Sequence, residues 1–225
     1  MLAIIFFILL FLASFLPHWW ASYTFKRYAK NKSNIKGSGG QLAKHLIKRF
    51  GLDDVVVEIT KQGDHYNLED KKVCLSADNY HHHSLTAIAV AAHEVGHAIQ
   101  HHQNEKKLYL RTTLIKKTFY IEKLGSLCFY LMPLLFLISH NPILSFIFFA
   151  IAISSLLAST AVHLITLPVE WDASFSKALP ILSSGYIDQA DVGAVKQILQ
   201  AAALTYIAAS LISLFNIWRW LKIFK

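Results

Sequence analysis

Four stretches of the chain are apolar and almost without charge. Residues 2–16, LAIIFFILLFLASFL, contain none, and the apolar character runs on to Trp19 and Trp20. That length approaches the ~20 residues a spanning helix needs, and the paired tryptophans suit an interfacial belt. A cleaved signal peptide is the rival reading, but no basic region precedes the run and no small-residue cleavage site follows it. Residues 124–138, LGSLCFYLMPLLFLI, predict a second span with Pro133 inside it, and 143–167 predict a third. Between these two, Asn141-Pro142 predicts a tight turn. The fourth run, 201–218, carries several hydroxyls and an asparagine. It predicts a helix, reaching about residue 222, that spans the membrane or lies along its interface.

Elsewhere the periodicity is that of a small folded domain. In GSGGQLAKHLIKRF (37–50), Leu42, Leu46, Ile47 and Phe50 recur at helical spacing and Gly51 is a stop. VVVEIT (55–60) and KKVCLS (71–76) read as paired strands, with QGDHYNLED as their connection. Ser84 is placed to cap a helix over 85–102, apolar through residue 99 except at His93, Glu94 and His97. It predicts a buried central helix rather than a span. Asp188 and Asp191 read as helix-start residues before AVKQIL.

Composition supports the membrane reading. Of 225 residues, 54% are hydrophobic and only 16% charged, where a soluble domain carries nearer a quarter charged. Two cysteines, Cys74 and Cys128, are too few for a disulfide framework and read as free thiols, which suits a reducing compartment. A net charge of +8 would raise nucleic acid as a partner for a soluble protein. Here the basic residues flank the apolar runs, so the bilayer is the expected partner and no nucleic acid is. Lys26, Arg27, Lys30, Lys32 and Lys36 follow the first run, and Lys116, Lys117 and Lys123 precede the second. The turn 139–142 has no Lys or Arg. The positive-inside rule then places 21–123 in the cytoplasm. Arg219, Lys222 and Lys225 argue the other way if the last helix spans.

The chemistry lies in His93-Glu94-Val95-Gly96-His97, an HExxH pattern. On a helix, residues four apart sit about 40° apart around the axis and one turn along it, so both imidazoles reach one metal ion. Glu94 is offset by about 100°. It leans toward the open side without being a ligand and is placed as a general base. Zinc lowers the pKa of a water to about 7 and polarises a carbonyl, and Glu94 returns the proton to the leaving amine. Two core histidines bonded to backbone or water are the bland alternative, and costly on a buried apolar helix.

A catalytic zinc needs a third protein ligand. Gln100 and Gln103 stand where the metzincin extension needs Gly and His. His101 lies about 12 Å along the axis from His93, and His81, His82 and His83 read as solvated loop residues. Glu105 reads as solvated and Glu122 as a flanking charge. Glu170, in TLPVEWDAS (166–174), remains. The hairpin of spans two and three returns the chain to the side it left, so Glu170 shares a membrane face with HExxH. His163 competes as ligand, and a helix-capping role behind Pro168 competes as the role of Glu170. Asp172 is a candidate acceptor for a ring N–H of a metal-bound histidine, against a simple surface role; Ser174 follows on the same segment.

AVAAHEVGHAIQH, then TLPVEWDAS after two spans, then AAALTYIAA resemble the YugP-type neutral zinc metallopeptidases of bacterial membranes, and SGGQLAKHLIKRFGL, DHYN and KVCLSADNY fit in the same order. The likeness covers about residues 37 to 215, with Asn67 where Asp is expected. It implies one zinc per chain, with His93, His97 and Glu170 as ligands and Glu94 as catalytic acid/base. The expected fold is a membrane α-helical protein with a small α+β, zincin-like catalytic domain. The expected parts are a 1–20 anchor, a 21–123 cytoplasmic catalytic domain, a 124–167 transmembrane hairpin, a 168–200 cytoplasmic segment with the third ligand, and a 201–222 helix. The expected activity is endoproteolysis of unfolded or membrane-associated polypeptides in a multi-pass cell-membrane protein. By looser analogy, the strand at 71–76 offers its edge to an extended peptide. A proteolytically silent zinc-binding scaffold or quality-control adaptor is the alternative; the intact Glu94 argues against it. A metal transporter would want polar ligands at membrane depth, where only His163 qualifies.

Overall fold

The computed structural model describes the backbone of residues 2–214 and, within it, the side chains of Leu12 and residues 15–208. The end of the expected last helix, with Arg219, Lys222 and Lys225, lies outside the described residues, as do most side chains of the first apolar run. Its described residues form two compact units, one of 2–15, 109–167 and 206–214, the other of 16–108 and 168–205.

The second unit holds the HExxH helix. Helix α1 (Leu2–Arg27) leads into it, and α2 (Gly39–Arg49) follows. α2 starts on a reciprocal cap: Ser38 Oγ accepts from Gln41 N at 3.3 Å and Gln41 Oε1 accepts from Ser38 N at 2.9 Å. Strands β1 (Val56–Thr60), β2 (His65–Asn67) and β3 (Lys72–Ser76) form one sheet in the order β1-β3-β2. β1 and β3 pair in parallel, Val57 opposite Val73, and β2 pairs antiparallel with β3, Tyr66 opposite Val73. The expected connection between two strands thus contains a third. At three residues it is too short for a period-2 pattern to register. Asn67 Oδ1 accepts from Glu69 N at 3.0 Å and Asp70 N at 3.1 Å, turning the chain into β3.

This topology corrects one expectation. β3 is the central strand, so it has no edge for a substrate peptide. Past the end of β2, Ser76 N donates to Asp64 Oδ1 at 2.6 Å, which closes that side too. Open edges belong to β1 and β2. A short helix α3 (Ala77–His81), capped by Ser76, takes in His81, while His82 and His83 follow it as loop residues.

Helix α4 (Leu85–His102) begins at Ser84, whose Oγ accepts from Ala87 N at 3.1 Å. It is buried along most of its length. α2 approaches it closely: a Cβ on Gly39 would stand 2.7 Å from the carbonyl oxygen of Ala87. Leu46, Val73, Leu75, Val95, Leu182 and Ile198 form the shared core, all at most 1% exposed.

In the first unit, α5 (Lys106–Ser139) and α6 (Pro142–Trp171) are joined by a two-residue turn in which Asn141 Oδ1 accepts from Ile143 N at 3.0 Å. Both helices are long and apolar enough to cross a membrane, and only 17% of the apolar window of each is buried within the protein. Phe136, Leu137, Ile138, Ile143 and Phe146 are among the exposed side chains. α6 does not stop at Pro168. The proline lacks the N–H that would bond the carbonyl four residues back, yet the helix continues to Trp171 and passes into a π-helical stretch, Asp172–Ala178. α7 (Leu179–Ser183), a 3₁₀ turn (Gln189–Asp191) and α8 (Val192–Leu214) complete the described chain.

Leu46 is fully buried between α2 and α4. Leu46→Ala is expected to lower unfolding stability by about 2–5 kcal/mol, read from denaturant unfolding of the detergent-solubilised chain; an unchanged midpoint would contradict this placement of the core.

Candidate metal centre

One turn of α4 brings His93 and His97 together with their rings 4.8 Å apart between centroids and nearly perpendicular, at 79°. Ligand atoms of His93, Glu94 and His97 all lie within 4.8 Å of one another. Glu170 reaches the same point from the last turn of α6. Its Oε2 stands 3.3 Å from His93 Nε2 and 3.3 Å from His97 Nε2. Glu170, at 0% exposure, His97 and Glu94 are all buried, and His93 is half-buried.

Two local features allow this meeting. The first is Gly96, between the histidines. A Cβ there would stand 2.8 Å from the carbonyl oxygen of Ala173, so only glycine lets the π-helical stretch lie against α4. The second is the spacing of Glu170 and Ser174. Four residues apart, they address the two nitrogens of His93, with Glu170 at Nε2 and Ser174 Oγ 3.0 Å from Nδ1. π-helical turns recur at functional sites.

The donor set fits a zinc ion. His97 Nε2 is buried with no hydrogen-bond partner among the described residues. Zn–N and Zn–O bonds of about 2.0–2.2 Å in a tetrahedron put neighbouring ligand atoms about 3.3 Å apart, which is the spacing of Glu170 Oε2 from each Nε2.

Other sequence candidates lie elsewhere. His101 Nδ1 meets the hydroxyl of Tyr66 at 2.8 Å, and burial holds its imidazole below the usual range. Glu105 accepts from Lys177 Nζ at 2.7 Å. His163 sits seven residues, about two turns, before Glu170 on α6 and is not in the cluster. The capping role for Glu170 does not hold, because Glu170 lies inside α6 rather than at a helix start. Cys74 and Cys128 are free and buried. Burial, then the hydrogen bond to Glu58, pushes the Cys74 thiol up to about 11, which keeps it protonated.

Asp172 lies one residue away from the role expected of it. Its Oδ2 accepts from Gln100 Nε2 at 2.8 Å and from Lys177, and it is Gln100 Oε1 that meets His97 Nδ1, at 2.9 Å. Gln100 was legible in the sequence only as a failed metzincin glycine. Its spacing of three from His97, which puts both on one helix face, was the signal available.

A family model described as "Putative neutral zinc metallopeptidase" matches residues 3–225. The "Putative membrane protease YugP" of Bacillus subtilis (strain 168) is 37% identical over 226 residues, covering 97% of this chain and 96% of that protein. No solved structure matches.

Because the π-helical backbone fills the space a side chain would need, Gly96→Ala is expected to destabilise the chain by about 1–3 kcal/mol and to weaken metal retention. Thermal unfolding and bound-metal content, each against wild type, read the two effects; wild-type values for both would contradict the close approach.

Proposed function

The chain belongs to the neutral zinc metallopeptidase family, and from that premise we propose that it is a membrane-embedded endopeptidase in which His93, His97 and Glu170 hold one zinc ion per chain. The observation that carries this is the buried carboxylate oxygen 3.3 Å from two imidazole nitrogens on the HExxH helix. A zinc ion held by these residues would supply a water with its pKa lowered to about 7 and would polarise a peptide carbonyl. Glu94 accepts the proton of the attacking water and returns it to the leaving amine nitrogen. Ser174 orients the His93 ring through Nδ1. His93 is the most open of the four residues, so substrate enters over its side of the site.

α4 and the sheet form a zincin-like catalytic unit under this proposal. Its substrates are unfolded or membrane-associated polypeptides. An extended peptide that adds to the sheet uses the edge of β1 or β2; β2 lies against α4 through the Tyr66–His101 contact. The chain is multi-pass, with residues 1–20 as anchor, 124–167 as hairpin and the catalytic segments 21–123 and 168–200 in the cytoplasm. The barely buried apolar faces of α5 and α6 support the hairpin, and the lysine and arginine clusters support the orientation. Residues 16–108 and 168–205 fold as one unit, which supports pairing HExxH with Glu170. The word membrane in the relative's name agrees with the location.

The test uses the full chain purified in detergent. Wild type is expected to hold one zinc and cleave casein. Glu94→Gln should keep zinc and lose cleavage by about 10²-fold or more, and Glu170→Ala should lose zinc. A wild type that binds zinc without cleaving any of a panel of unfolded polypeptides would favour the silent scaffold, and a Glu170→Ala protein with full zinc and activity would remove Glu170 from the ligand set.

A further inference from the structure

Gln100 is fully buried, and its neighbours leave its amide one orientation. One end lies 3.0 Å from the carbonyl oxygen of Val169 and 2.8 Å from Asp172 Oδ2. Both of those atoms accept and neither donates, so that end is the NH₂ group. The other end, Oε1, is then the atom 2.9 Å from His97 Nδ1. An amide oxygen only accepts, so Nδ1 carries the ring proton. The lone pair of the neutral ring is therefore on Nε2, the nitrogen that faces Glu170 Oε2. Asp172 is itself fixed by Lys177, which also binds Glu105.

We propose that Gln100 is a positioning residue that sets the tautomer of His97 before metal arrives and holds α4 in register with the segment carrying Glu170. The register follows from connectivity. The amide that accepts from His97 also donates to Val169, the neighbour of Glu170 in the chain. Two ligands from separate elements are thus held by one side chain. This rests on the zinc-site reading above and adds a role for a residue outside the HExxH-plus-Glu set.

Zinc affinity, measured by competition with a chromogenic chelator on the full chain in detergent, separates this role from simple packing. Gln100→Leu keeps the volume and removes the acceptor; zinc Kd is expected to rise about 10–100-fold. Gln100→Glu keeps an acceptor for the Nδ1 proton but turns a carboxylate oxygen toward Val169 O and Asp172 Oδ2, so the register is lost and zinc Kd should rise there too. Packing alone predicts leucine near wild type, and a wild-type affinity for Gln100→Leu overturns the proposal while leaving the zinc site standing. His97→Ala is the control: a wild type without zinc, or zinc kept by His97→Ala, overturns the site reading and this inference with it. If Gln100→Leu does not fold, zinc-free wild type labelled with ¹⁵N-histidine gives the answer directly. The His97 resonances, identified by their loss in His97→Ala, should report a proton on Nδ1; a proton on Nε2 overturns the proposal.

Discussion

Two imidazole nitrogens and one carboxylate oxygen face one point inside the folded chain. Glu170 Oε2 stands 3.3 Å from the Nε2 atoms of both His93 and His97, in surroundings that leave the carboxylate no exposure to water. Burying a carboxylate without compensation is costly. A proton relieves one such pair, whereas a cation with tetrahedral preference relieves all three at once. The family to which the chain belongs supplies the identity of that cation. Much of the surrounding structure can be understood as the means of keeping three acceptors at this spacing.

Those means are mostly backbone. Gly96 lets the carbonyl of Ala173 approach where any side chain would hold it off. α6 runs past Pro168 and widens into a π-helical stretch, which presents Glu170 and Ser174 to opposite sides of one imidazole. Gln100 ties the HExxH helix to the backbone beside Glu170. The geometry of this cluster therefore depends on how closely α4 and residues 169–178 pack, and a substitution far from the three side chains can act by changing that approach.

The legible parts of the sequence were those with a strong local signal. Ser84 marks a helix start because a hydroxyl there satisfies an orphan backbone N–H, and the structure has a helix beginning beside it. HExxH announces its chemistry by spacing, and the long uncharged runs announce apolar helices. Glu170 was reachable by asking which acid a hairpin returns to the same side. The missing parts depend on tertiary context. β2 is three residues long and exists because β3 pairs with it. The continuation of α6 through Pro168 runs against local propensity. The role of Gln100 requires knowing that Val169 and Asp172 lie opposite, some seventy residues further along the chain.

The most direct test of the central claim is zinc K-edge X-ray absorption on the full chain purified in detergent. His93, His97, Glu170 and a water should give four light ligand atoms at about 2.0–2.2 Å, with the multiple-scattering signature of two imidazoles and no sulfur. A shell containing sulfur at about 2.3 Å, or a spectrum with no imidazole signature, would contradict it.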